Sequence, residues 1–186
     1  MPDYYLTKNS TYDTTIVRRG DNVVEWIIEG FPNATVYKSP NRQPIGIIKL
    51  RSFQEDTVEI RGKSVLPQRA VESNPFSNSR EFHASNGRRY KWKSRHPGWE
   101  LFTQDGRHTL VARFNHKSIF VDPQALEIAD EVIATLFYLR QLSLRRARNS
   151  SMSANLTAQA LNQAQMANQA QLSSIQASAG SPSGFC

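Results

Sequence analysis

Between Arg61 and Arg95 the chain carries nine basic residues against two acidic ones, Glu72 and Glu81, a local excess that equals the net charge of +7 of all 186 residues. Successive side chains on a strand point to opposite faces. In "RRYKWKSR" (residues 88–95) that rule gathers Arg89, Lys91, Lys93 and Arg95 on one face and sets Tyr90 and Trp92 on the other. Arg61 and Lys63 repeat the two-residue spacing upstream. The chemistry such a ladder offers is anion recognition, in which lysine acts as a point charge and arginine as a fork. Nucleic acid is the weaker ligand, because a stacking platform needs aromatic rings on the cationic face. The plain competing reading is a solvated face whose charges discourage edge pairing.

No catalytic pattern accompanies this ladder. The sequence has no glycine-rich phosphate loop, no G-x-S-x-G elbow and no H-E-x-x-H. His83, His96, His108 and His116 lack ligand spacing, and Cys186 is the only cysteine, so neither a structural zinc site nor an internal disulfide can be built. The expectation is a non-enzymatic binding protein with no metal and no cofactor. The opening "MPDYYLTKNS" lacks the basic and apolar regions of a secretory signal, which with the cysteine usage points to the cytoplasm.

The elements that must carry the ladder are short. "VVEWIIE" (23–29), "NATVYK" (33–38), "IGIIKL" (45–50), "TVEIR" (57–61), "RRYKWKSR" (88–95), "WELFT" (99–103), "TLVARF" (109–114) and "SIFVD" (118–122) are rich in β-branched and aromatic residues and are bounded by turn residues. Asn86-Gly87 and Asp105-Gly106 signal type I′ hairpins, and Asp122-Pro123 opens a further turn. Leu66–Ser79 reads as the one long loop. Trp26, Trp92 and Trp99 fall on alternating apolar faces and are expected in the core.

"DEVIATLFYLRQLSLRRAR" (130–148) reads as a helix, about 129–147, with Asp130 and Glu131 at its start and Arg145, Arg146 and Arg148 at its end complementing the dipole. It is apolar on nearly every side. Arg140 interrupts it too early for a membrane span, which needs about 20 apolar residues. A helix apolar all round is surrounded by protein. Among strands, the enclosure available is a closed or nearly closed antiparallel barrel, so the fold expected is mainly β with the hydrophobic C-terminal helix inside, over residues 1–148. Residues 149–186 contain no Asp, Glu, Lys or Arg and are dominated by Ala, Gln, Ser and Asn. They are expected as a low-complexity tail, disordered or weakly helical.

"RYKWK" (89–93), "GWELF" (98–102), Asp105-Gly106 and "LEIADEVIATLFYL" (126–139) together resemble the tubby-like C-terminal superfamily, closest to its uncharacterised fungal members, over roughly residues 3–147. The plant LURP-one-related proteins and the phospholipid scramblases share that superfamily. The resemblance implies a barrel around a central helix, and an adaptor that touches anionic phospholipid, phosphoinositide above all, at a peripheral membrane location. Tubby proteins use a Lys-x-Arg pair on a strand; Lys91-x-Lys93 and Arg61-x-Lys63 stand in its place here. The site residues expected are therefore Arg61, Lys63, Arg89, Lys91, Lys93 and Arg95. The alternative is a protein-interaction module, indifferent to lipid, whose tail recruits a partner.

Overall fold

The chain folds as thirteen antiparallel strands in the computed structural model, whose described residues are 3–69 and 78–179, and apart from two short polar strands these are runs in which apolar residues alternate toward one face. In chain order they are β1 (Asp3–Leu6), β2 (Thr14–Arg18), β3 (Val24–Glu29), β4 (Asn33–Lys38), β5 (Gln43–Lys49), β6 (Thr57–Ile60), β7 (Lys63–Ser64), β8 (Gln68–Arg69), β9 (Arg80–His83), β10 (Arg89–Arg95), β11 (Gly98–Thr103), β12 (Leu110–Asn115) and β13 (Ser118–Val121). A 3-10 helix, Pro123–Ile128, and the long helix α1, Ala129–Ala179, follow. The strands form one sheet in the order β7-β6-β5-β4-β3-β2-β1-β13-β12-β11-β10-β9-β8.

The two edges of that sheet are consecutive in sequence. Only Val65, Leu66 and Pro67 separate β7 from β8, a stretch that spans roughly 14 Å at most. The sheet must therefore curl until its edges face each other, a barrel whose seam carries no ladder hydrogen bonds. What it curls around is α1. Val132, Ile133, Ala134, Leu136 and Phe137 are fully buried, and Tyr138, Leu139 and Leu142 nearly so. The indole N–H groups of Trp26 on β3 and Trp92 on β10, six strands apart in the sheet, both donate to the helix, to Asp130 Oδ1 at 2.8 Å and Thr135 Oγ1 at 3.0 Å. Strands so far apart can meet one rod only from different sides.

The helix also defines the two ends of the barrel. Its first turn is tied to the β6–β7 turn through Arg61 and to the β9–β10 loop through Ser85. Later turns reach the opposite end. Tyr138 donates to Asp56 in the β5–β6 loop, Arg140 to Asn9 and Gln141 to the Thr11 carbonyl in the β1–β2 loop. Because the strands alternate in direction, the β3–β4 loop and Arg95, the last residue of β10, belong to this second end as well.

The eight expected strands are present within one or two residues. The two hairpin signals differ in detail. Gly87 and Gly106 take positive φ (78° and 83°), but Asn86 and Asp105 do not, and the strands are joined by loops of 84–88 and 104–109 rather than two-residue turns. Asp122 caps the 3-10 helix, its carboxylate accepting from the Gln124 N–H at 3.0 Å, with Pro123 in the first position, where its missing N–H costs nothing. The expected loop Leu66–Ser79 contains β8, and residues 70–77 lie outside the described part.

By its contacts the chain divides into Met1–Leu142, which is the barrel and its helix, and Ser143–Cys186. In the second unit α1 continues to Ala179, past the expected end near 147. Neither Gly nor Pro interrupts residues 149–179, and Ala, Gln, Leu and Met are good helix formers. Arg145, Arg146 and Arg148 consequently sit within the helix rather than at its carboxyl end, where no basic residue stands. Cys186 lies outside the described residues.

Candidate functional site

The pleat of β10 sorts its residues as the sequence spacing requires. Tyr90 and Trp92 point inward and are buried, with Tyr90 stacked on Phe82 of β9 at 5.7 Å between ring centres. Arg89, Lys91, Lys93 and Arg95 take the outer face. Pairing with β9 and β11 then decides which carboxylates they meet, since Lys91 lies opposite Glu81 and Lys93 opposite Glu100. Arg89 and Lys91 share Glu81, at 3.2 and 3.1 Å. Arg95 and Arg113 of β12 share Glu100, at 3.7 and 3.1 Å. Lys93 has its ammonium 4.9 Å from the centre of the Phe102 ring. Five cations thus face two carboxylates, and the strand face keeps a surplus of three positive charges.

Arg61 and Lys63 do not join this face. Arg61 occupies the β6–β7 turn with φ of 51°, uncommon for a residue with a Cβ. Its guanidinium reaches Asp130 at 2.8 Å. Together with Lys63 it lines a pocket of about 360 Å³ at the start of α1, opposite Glu127, Asp130 and Glu131. Three carboxylates against two cations make that pocket unsuited to an anion. A larger cleft of about 760 Å³, lined from both edges of the sheet, is more acidic still, with Glu55, Asp56, Glu59 and Glu81 against Arg51. The six expected residues are therefore two separate groups, and only the β10 group carries net positive charge.

Asp130 organises the end of the barrel where the helix begins, through contacts with residues far away in the chain. It accepts from Trp26 at 2.8 Å, from Arg61 at 2.8 Å and from Lys38 at 3.4 Å. Burial pushes its pKa up, but the bonds from Arg61 and Trp26 and the charge of Lys38 outweigh burial and hold it below the usual value. Glu131 accepts the Ser85 N–H with both oxygens, at 3.0 and 3.2 Å. Arg140 lies between the rings of Phe114 and Phe137, 4.7 and 5.2 Å from their centres, and donates to Asn9 at 3.0 Å. Desolvation lowers its pKa to about 10, so it stays protonated at neutral pH. Trp26 and Trp92 are fully buried and Trp99 packs against the core from a half-buried position. No group of His, Cys, Asp and Glu among the described residues is arranged to hold a metal ion.

The architecture is that of a β-barrel wound around its own helix, with one cation-rich strand face. The chain belongs to a family of unknown function, DUF6593, whose model matches residues 4–145 and so covers the barrel and the helix inside it. No curated protein and no solved structure matches it. Among the described residues no helix is long and apolar enough to cross a membrane.

Proposed function

We propose that this protein is a non-enzymatic binding module of the tubby-like C-terminal superfamily, allied to its uncharacterised fungal members, that engages anionic phospholipid, phosphoinositide first, from the cytoplasm. The observation that carries the reading is the outer face of β10, where Arg89, Lys91, Lys93, Arg95 and Arg113 outnumber Glu81 and Glu100. At about 1 kcal/mol per cation near an anionic leaflet, a surplus of three gives weak recruitment that salt suppresses. Inward burial of Tyr90 and Trp92 supports lipid over nucleic acid, since it removes the rings of β10 from base stacking, and the Phe102 ring on the cationic face has the Lys93 ammonium over it.

Pelleting with phosphoinositide-bearing vesicles tests this. Lys93→Glu with Arg95→Glu is the informative pair. Lys91 is a poorer choice, because its side chain is only 12% exposed and a glutamate there would stand beside Glu81. The expected result is salt-sensitive binding to anionic vesicles that the double substitution weakens by about tenfold or more. Absence of binding at low salt removes the proposal.

A further inference from the structure

The loop between β5 and β6 holds one aromatic ring wholly outside the protein. Phe53 is 101% exposed, against 36%, 43% and 42% for Tyr12, Val23 and Leu126. A slack loop would lay that ring on neighbouring apolar surface, but this loop is fastened. The Leu50 N–H donates to the Pro32 carbonyl at 3.3 Å, the Arg51 N–H to Asp56 Oδ1 at 2.9 Å, and the Arg51 guanidinium to Gln54 Oε1 at 2.8 Å. The second oxygen of Asp56 accepts the Tyr138 hydroxyl from the enclosed helix at 3.1 Å. The loop is therefore held on both sides of Phe53, with the ring outside it.

Beside the ring lies a shallow depression of about 640 Å³ with Pro32 and Leu50 as its apolar surface and Lys49 and Arg51 as its charges. Its lining holds no carboxylate, and Arg51 is shared with the acidic cleft, so Lys49 is the charge that belongs to the depression alone. Ser52 and Gln54 flank Phe53, so the ring lacks the apolar surround that forms the core of a protein interface. A single aromatic side chain next to cations matches instead the headgroup layer of a bilayer, where rings settle below the phosphates. The loop also stands at the same end of the barrel as Arg95.

Building on the lipid reading, we infer that the depression at Lys49 and Arg51 receives the headgroup of an anionic phospholipid while Phe53 enters the interfacial layer. Phe53 is the anchor and the β10 cations orient the barrel.

The test uses the full chain carrying Phe53→Trp, with wild-type fluorescence subtracted to remove Trp26, Trp92 and Trp99, and vesicles of phosphatidylcholine with or without phosphatidylserine. With phosphatidylserine present, the emission of the introduced indole shifts to the blue and is quenched by brominated acyl chains, and Phe53→Ala pellets about tenfold less well than wild type. Unchanged melting of Phe53→Ala verifies its fold, since the ring is fully exposed. If wild-type protein pellets but the introduced indole neither shifts nor is quenched and Phe53→Ala binds normally, the insertion site is overturned while the lipid reading stands. If wild-type protein pellets with neither vesicle nor with phosphoinositide vesicles, both fall. A blue shift equal on pure phosphatidylcholine overturns the anionic headgroup assignment.

Discussion

Asp130, in the first turn of the enclosed helix, accepts the indole N–H of Trp26 at 2.8 Å across a separation of 104 residues. The same carboxylate gathers Arg61 and Lys38, so three points of the sheet are fixed to one helical residue. Asp130→Ala leaves a fully buried indole N–H unsatisfied and two cations without their shared partner. The expected loss is about 2–4 kcal/mol, measured by chemical denaturation, and Asp130→Asn, which keeps an acceptor, loses less. Equal stability of wild type and Asp130→Ala would contradict the role.

The pH dependence follows from the same carboxylate. Its folded pKa lies below the unfolded value near 3.9, so its contribution is complete above that pH and disappears as the pH falls through the folded value. The stability gap between wild type and Asp130→Asn should therefore narrow below about pH 4 and stay constant from there to neutrality. Thermal melts across that range measure it.

Inside the barrel, Thr135 accepts the Trp92 N–H and donates its own hydroxyl to the Glu131 carbonyl at 2.8 Å. Thr135→Val keeps the shape but leaves the indole donor unpaired, at a cost of about 1–3 kcal/mol, whereas Thr135→Ser restores the hydroxyl. Phe137→Ala opens a cavity in the centre of the barrel and takes away one of the rings that hold Arg140. A loss of about 3–5 kcal/mol is expected by urea titration.

Gly98 begins β11 where β12 approaches closely. A Cβ there would collide with the Phe114 carbonyl oxygen, which is backbone and cannot swing aside. Gly98→Ala is expected to cost about 3 kcal/mol or more, read as a lowered melting temperature or loss of soluble expression. Wild-type melting of this variant would mean the two strands do not meet as described.

Removing residues 149–186 spares every core residue among those described, since these all precede Ser143. The shortened chain should melt at the temperature of the full one. A substantial drop would show that the second unit stabilises the first.

The sequence made the barrel legible because its signals were local: alternation within each strand, glycine in the turns and an apolar run too short for a membrane. It hid β1, β2, β7, β8 and β9, two to five residues each, where alternation is too brief to stand out from chance. The outward placement of Arg89, Lys91, Lys93 and Arg95 needs only the pleat. Their pairing with Glu81 and Glu100 needs the register of neighbouring strands, which spacing within one strand does not contain. Arg61 and Lys63 share the two-residue rhythm, yet the turn at Gly62 carries Arg61 to Asp130 and Lys63 to the lining of the same pocket. Phe53 has one visible mark, an aromatic residue in the otherwise polar "RSFQED", and only the surrounding bonds show that its loop is fastened.

The element that fills the barrel follows all thirteen strands in the chain. During synthesis every strand is made before Val132, Ile133 and Phe137, the residues that occupy the space between them. The nascent sheet consequently waits with its inner face bare and its ends unjoined, a state prone to association with other chains. Assembly depends on a late arrival that must be received between walls already formed, so the interval before that arrival is the period in which this protein most needs a chaperone.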